Sequence, residues 1–456
     1  MGAHQTDVLA GDAAELWDAP LAHGPLDAVV EVPGSKSQTN RLLVLAALAD
    51  RPSVIKGALR ARDTELMVAG LRAFGTAFDT RGWDGADAVI EVRPAELPVD
   101  ETRTVDVGLA GTVMRFLPPV AALAGGATVF DGDDGARVRP MCGLVSALRE
   151  LGAEVNATTL PHGELGLPLT VRAGHAVARG AAMVDASASS QFVSALLLAA
   201  PRFAHGLRLT AVGSVPSRPH IEMTVAALRE RGVEVEEPTP NQWVVRPGPI
   251  RGGEMLIEPD LSNAAAFLAV ALVAGGQVAV PRWPTTTTQP GRLVPGILHR
   301  MGGSAQLGSD QLSVTGTGQV KGIDIDLSVA GELAPTIAAL AALADSPTRI
   351  TGVAHLRGHE TDRLAALVSE INGLGGDARE LPDGIAINPA PLHGGVWRTY
   401  HDHRMATAGA LIGLRVPEVQ VENIATTGKT LPGFAALWQR LVGGECAKSG
   451  VEAGVA

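Results

Sequence analysis

VDASASSQFVSALLLAA, residues 184–200, passes from a short β-branched start through a run of small and hydroxyl side chains into an aliphatic helix. A second stretch, VPGSKSQTNRLLVLAAL at 32–48, has the same layout with a lysine added. A helix N-terminus leaves backbone N–H groups unpaired and carries a partial positive charge, so phosphates and carboxylates settle there. Gly, Ser and Thr at the turn let an anion approach closely and add hydroxyl donors. The two stretches read as copies of one anion-holding unit.

Working outward, the same plan recurs in VDVGLAGTVMRFLPPVAALA (105–124), LIEPDLSNAAAFLAVALVAGG (256–276), IDLSVAGELAPTIAALAALA (325–344) and TYHDHRMATAGALIGL (399–414), about every 70 to 80 residues. Between them lie LRAFG at Leu71, LRELG at Leu148, LRERG at Leu228, LHRMG at Leu298 and INGLG at Ile371. Each reads as a helix end closed by a left-handed Gly, with a new strand after it. The unit is strand, helix, strand, helix, strand, strand. Six such units predict an α/β protein of βαβαββ repeats, three per lobe, with the Ala/Leu-rich helices buried inside the sheets.

Composition bounds the function. The chain of 456 residues is 46% apolar, enough for more than one core. Its longest apolar run, AAAFLAVALVA at 264–274, falls short of the ~20 residues of a bilayer helix and reads as a core helix. No membrane span is expected. The stretch MGAHQTDVLAGDAAELWDA at the N-terminus lacks the pattern of a secretory signal and reads as a frayed tail. Cys142 and Cys446 are too few for a disulfide framework or zinc cluster and suit a reducing cytoplasm. A net charge of −11 argues against nucleic-acid binding, so an anionic ligand must be met by local clusters of cations.

Such clusters exist: Lys36 and Arg41, Arg115, Arg137 and Arg139, Arg218, Arg357 and Arg363, Arg404, and Lys429, mostly in turns beside Gly and Pro. Arg grips carboxylate or phosphate in a bidentate fork, whereas Lys is a point charge that can also move a proton. GSKS is not a phosphate-binding P-loop, because the Gly-Lys pair and the earlier Gly are both absent.

Together PGSKSQTNR, AGTVMRFL, RVRPM, SASSQF, HETDRL, DHRMA and KTLPGF make the chain similar to the 5-enolpyruvylshikimate-3-phosphate synthase family, from about Val29 to Leu441. The resemblance implies transfer of the enolpyruvyl group of phosphoenolpyruvate to the 5-hydroxyl of shikimate 3-phosphate, with release of phosphate through a tetrahedral ketal. It also implies two lobes, 34–259 and 1–33 with 260–456, hinged near 33 and 260. Carried over residue by residue, Lys36, Ser37, Arg41, Ser189, Ser190, Gln191 and Ser217, with Glu332 and His359, match contacts to shikimate 3-phosphate. Lys36, Gly111, Thr112, Arg139, Gln191, Arg363, Arg404 and Lys429 match the phosphoenolpyruvate grip. Glu332 takes the place of the base, with Lys36 or Lys429 assisting, and Glu360 that of the proton donor. The same resemblance implies a cytoplasmic monomer with no metal or cofactor, inhibited by glyphosate beside Gly111.

Several positions depart from the commonest family pattern. Glu332 stands where Asp is frequent, Leu109 where Asn is, Phe116 where Pro is, and His220, His355 and His359 where Tyr, Asn and Lys are. Two rival readings are a transferase of enolpyruvyl to UDP-N-acetylglucosamine and a non-catalytic repeat protein that binds acidic metabolites. The first would place Asn after the N-terminal Lys, where Ser37 stands, and a reactive Cys before an Arg-Pro pair. Cys142 follows Arg139-Pro140 and reads as a core thiol. The second is opposed by the presence of both acids and all the matched cations.

Overall fold

The computed structural model describes residues 15–84, 88–97, 101–172 and 179–446. Its strands form five four-stranded sheets and one of three strands. The unit 103–172 shows the plan. Strands Arg103–Asp106 and Ala127–Asp131 pair in parallel across helix Gly111–Ala124, and helix Cys142–Leu151 then leads to the antiparallel pair Glu154–Thr159 and Leu165–Arg172.

Sequence pattern explains the layering. Strand Ala181–Asp185 alternates exposed and buried residues, as a sheet with one wet face must. Helix Gly111–Ala124 is buried at every position except Gly111 and Leu123, and helix Leu261–Ala274 at every position except Ala274. Helices apolar all round belong in a core. The AAAFLAVALVA run is therefore a core helix as expected, and among the described residues no helix is long and apolar enough to cross a membrane. All five marker glycines sit at positive φ, from 80° at Gly232 to 103° at Gly152 and Gly302, and close their helices as the sequence predicts.

Two cores result. One draws on residues between Leu43 and Ile257, the other on Ala28 to Val32 and Leu261 to Leu441. The connection between them departs from the plain repeat. Strand Leu26–Val29 precedes helix Lys36–Ala47 but pairs in parallel with Gly276–Pro281. Strand Gly253–Leu256 precedes helix Leu261–Ala274 but pairs in parallel with Ser53–Lys56. Two of the six units have thus exchanged first strands. The chain crosses between cores twice, side by side: Ser35 N donates to Glu258 O (2.8 Å) and Asp260 N to Pro33 O (2.9 Å). Gly34 is required there, since a Cβ would lie 1.9 Å from the Gly57 carbonyl oxygen.

A correction concerns the N-terminus. Leu16–Asp18 is a strand, antiparallel to Val419–Glu422, and completes the three-stranded sheet of the last unit with Gly395–Trp397. Residues 1–14 of the expected tail lie outside the described residues.

Candidate active site

Between the two cores lies a cleft with about 160 Å³ of space for water-sized groups. Every one of the six strand-turn-helix junctions reaches it. Lys36 and Ser37, Gly111 and Thr112, and Ser189 and Gln191 come from the first three junctions, and Asp260, Glu332 and Arg404 from the others. Loops add Arg139, His359 and Glu360, the start of helix Arg363–Gly373 adds Arg363, and the end of the short helix Ile424–Lys429 adds Lys429. The fold brings these side chains to one place by pointing its helix N-termini inward.

Each cation is held by a defined partner. Ser35 caps the helix that starts at Lys36, its Oγ accepting from Gln38 N at 3.4 Å. Lys36 Nζ lies 3.3 Å from Asp63 Oδ2, and burial lowers the Lys36 pKa more than Asp63 raises it. Thr112 Oγ1 accepts from Asn40 Nδ2 at 2.7 Å, and Arg139 Nη1 donates to Leu109 O at 3.4 Å. A Cβ on Gly111 would come within 3.1 Å of Arg115 Nη1 and 3.3 Å of Arg139 Nη1. The glycine keeps that corner open to an anion.

Facing this corner, Arg363 is almost fully buried. Its Nε and Nη2 donate to the two oxygens of Asp402 (2.7 and 3.2 Å), and Nη2 also donates to Glu360 Oε2 at 3.0 Å. Asp402 in turn caps the helix of Arg404, accepting from its N–H at 2.8 Å. Lys429 Nζ donates to Glu360 Oε1 at 2.7 Å. Burial alone would raise the Glu360 carboxyl, but Lys429 and Arg363 outweigh it and hold the pKa well below the usual range. Burial likewise works against ionised Glu332, yet His220 and then Arg404 keep it a carboxylate.

His359 Nδ1 faces Arg363 Nη1 at 3.2 Å, where it can only accept. Burial, and then the Arg363 charge, push its pKa from 6.5 down to about 3. Below 6.5 the unfolded chain therefore binds this proton and the folded chain does not, so the stability from neutral His359 is present above 6.5 and lost as pH falls toward about 3. Lowering the pH from neutral to about 5 should thus reduce the melting temperature of the chain, and His359→Gln should reduce it less. Equal losses in the two proteins would contradict this origin.

Three predicted residues do not line the cleft. Arg41 is buried behind it, donating to Ser37 O (2.8 Å), Thr224 Oγ1 (2.7 Å) and His220 O (2.9 Å), so it braces two cleft residues from the rear. Ser190 is buried at the start of helix Gln191–Ala199, and Ser217 caps helix Arg218–Glu230 at φ 50°. Of the cations noted in the sequence, Arg137, Arg218 and Arg357 pair with nearby carboxylates, Asp131, Glu237 and Glu380 among them, outside the cleft. Cys142 is also outside it, its Sγ accepting from Leu165 N at 2.9 Å.

Other cleft residues escaped sequence reasoning. Arg115, noted only as a cation, is buried and donates to Gln191 Oε1 at 2.9 Å. Its place one helical turn after Gly111 was the available signal. Asp63, Asp260 and His403 also line the cleft. Asp260 was legible as a helix cap, accepting from Asn263 N at 3.0 Å; nothing local marks Asp63 as the partner of Lys36.

Residues 21–438 match the family model described as EPSP synthase (3-phosphoshikimate 1-carboxyvinyltransferase). A curated 3-phosphoshikimate 1-carboxyvinyltransferase of Kocuria rhizophila is 53% identical over 437 residues, 94% of this chain and 97% of the relative. Among solved structures, an EPSP synthase from Acinetobacter baumannii superimposes with a TM-score of 0.74 at 23% identity, covering 92% of this chain and 97% of that one. The enolpyruvyl transferase NikO from Streptomyces tendae gives 0.70 at 17% identity, over 92% and 96%. At such identities the two structures speak for the fold, which is that of the two-lobed enolpyruvyl transferases.

Proposed function

The chain belongs to the EPSP synthase family and transfers the enolpyruvyl group of phosphoenolpyruvate to shikimate 3-phosphate in the shikimate pathway, and from this we propose how its cleft carries out the reaction. Convergence of six helix N-termini and their cations on a single cleft is the observation that supports the reading. Each substrate phosphate carries about −1.5 to −2 charges, and each substrate adds a carboxylate. Only preorganised donors in an enclosed site offset that repulsion. Lys36, Ser37, Ser189 and Gln191 hold shikimate 3-phosphate, with Ser190 between the last two in sequence and Ser217 at the start of helix Arg218–Glu230, and Arg41 braces Ser37 from behind. Gly111, Thr112, Arg139, Arg363, Arg404 and Lys429 hold phosphoenolpyruvate, and Lys36 lies between the two.

In the first half-reaction Glu332 takes the proton of the 5-hydroxyl as its oxygen bonds to C2 of phosphoenolpyruvate, while the methylene carbon is protonated from the side of Glu360. Without substrates Glu360 is ionised by Lys429 and Arg363. Phosphoenolpyruvate brings negative charge to those same two cations and weakens their hold, so the Glu360 pKa rises when a proton donor is needed. The ketal then collapses, the C–O bond to phosphate breaks, and the methyl group returns a proton to restore the enol ether.

The proposal divides the molecule into lobes 34–259 and 1–33 with 260–456, which close about the paired crossings near 33 and 260 in a monomer of the cytoplasm. It places glyphosate in the phosphoenolpyruvate corner. Shikimate 3-phosphate with glyphosate should reduce the radius of gyration measured by small-angle scattering. Gly111→Ala would put a methyl against Arg115 and Arg139, and should raise the glyphosate needed for half-inhibition roughly tenfold or more, the ~1.4 kcal/mol of a modest clash, with a smaller rise in KM for phosphoenolpyruvate. Identical scattering would contradict the hinge. Unchanged inhibition in the variant would contradict the placement.

A further inference from the structure

We propose that His220, reaching from the first core to the second, is the positioning residue for the base Glu332, so that the base becomes competent only when the two halves meet. The inference rests on the role given to Glu332 above. His220 lies in helix Arg218–Glu230, whose Ile221, Val225 and Leu228 pack in the first core. Glu332 lies in the short turn Gly331–Leu333, whose Leu333 packs in the second. Their side chains meet across the cleft, His220 Nε2 against Glu332 Oε1. Among the described residues, side-chain hydrogen bonds between these halves are also found at the crossings, where Lys36 N donates to Asp260 Oδ2 and Thr287 Oγ1 and Gln289 Nε2 donate to Glu258 Oε2. The His220–Glu332 contact is made away from the crossings, by helix Arg218–Glu230 and the turn Gly331–Leu333, and both side chains line the cleft.

The two oxygens of Glu332 are not equivalent. Oε1 is taken by His220, whereas Oε2 is sealed from solvent and has no hydrogen-bond partner. A buried, unpartnered carboxylate oxygen is costly to maintain and calls for a reason. Proton abstraction supplies one. The Nε2–H of His220 fixes the rotamer and leaves the lone pairs of Oε2 free to take the proton of the hydroxyl, whose O–H electrons form the new bond to carbon. With the halves apart, Glu332 would lose its orienting donor and solvent would reach Oε2. The backbone of His220 is fixed in turn: its carbonyl accepts from Arg41 Nη2 at 2.9 Å and from Thr224 Oγ1 at 3.1 Å. Arg41 thus serves the site through the base's positioner as well as through Ser37.

The test compares His220→Phe, which keeps a ring but has no donor, with His220→Gln, whose amide N–H can stand where the imidazole Nε2–H stands. Steady-state rates with shikimate 3-phosphate and phosphoenolpyruvate are measured on both, with thermal melts to establish folding. Loss of a hydrogen bond to a charged group should lower kcat roughly 10- to 100-fold in the Phe variant, with both KM values changing about threefold or less, and the Gln variant should recover most of the rate. Undiminished kcat in the Phe variant overturns the inference. So does equal loss in both variants, which would assign His220 to packing, or a rise in KM at constant kcat, which would assign it to substrate binding. A wild-type protein with no activity toward this pair of substrates would overturn the reading of the reaction instead.

Discussion

Glu360→Gln should retain the shape of the side chain and its contact with Lys429 while losing the group that can carry a proton, and kcat should fall by roughly 10²–10⁴. The argument is local. Glu360 accepts from Lys429 Nζ at 2.7 Å and from Arg363 Nη2 at 3.0 Å, so it sits between the two cations assigned to phosphoenolpyruvate. An amide there cannot deliver a proton to the methylene carbon, but its oxygen can still accept from Lys429. The KM for shikimate 3-phosphate should therefore change little, and the loss should appear in kcat. Lys429→Met should lose rate and phosphoenolpyruvate affinity together, because Lys429 is proposed to hold that substrate and its charge lowers the Glu360 pKa. A Glu360→Gln protein with a near wild-type kcat, read as phosphate released per enzyme, would remove Glu360 from the chemistry.

The largest stability effect is expected at Arg363→Met. The Arg363 side chain is 2% exposed and its Asp402 partner 0%. Removing one member of a buried pair leaves the other charge without compensation, at a cost of about 3–5 kcal/mol. The change also frees Glu360 from one of its two cations and removes a charge proposed to hold phosphoenolpyruvate. The variant should melt well below wild type and show no measurable turnover. Adding Asp402→Asn removes the stranded carboxylate, so the double variant should regain part of the melting temperature but none of the activity. If the single variant melted like wild type, the pair would not hold the site together as described. Recovery of activity in the double variant would show that Arg363 serves only to neutralise Asp402.

How much of this was legible in the sequence depends on the range of the interaction that decides it. The glycines ending LRAFG, LRELG, LRERG, LHRMG and INGLG were readable because a left-handed helix end is settled within a few residues, and all five take positive φ. The turns before the helices were readable for the same reason, and they supply most of the cleft. What no local pattern carries is pairing, which only the lobe bounds implied by the family resemblance suggested. Leu26–Val29 and Gly253–Leu256 look like the first strands of the units they precede, yet each joins a sheet of the other core. No local pattern distinguishes a strand that pairs with its neighbour from one that hands the chain across.

The cleft residues divide in the same way. Lys36 and Arg363 carry their charge openly, whereas the carboxylates that hold them, Asp63 and Asp402, lie 27 and 39 residues away and were not assigned to them. Arg41 is matched to shikimate 3-phosphate by the family resemblance. In the fold it occupies the rear of the wall, where three oxygen acceptors within 3.0 Å justify burying a guanidinium. Burial of that group lowers its pKa to about 9, which still leaves it charged at neutral pH. In the sequence Glu332 had the place of the base and His220 was only a departure from the family pattern, with nothing to link the two. In the fold they touch.

The measurement that tests the central claim most directly is phosphate release from phosphoenolpyruvate by the purified chain, with shikimate 3-phosphate and UDP-N-acetylglucosamine offered separately as acceptors. The account predicts release with shikimate 3-phosphate alone, abolished or nearly so in Glu360→Gln. Release with UDP-N-acetylglucosamine, or with neither acceptor, would contradict it.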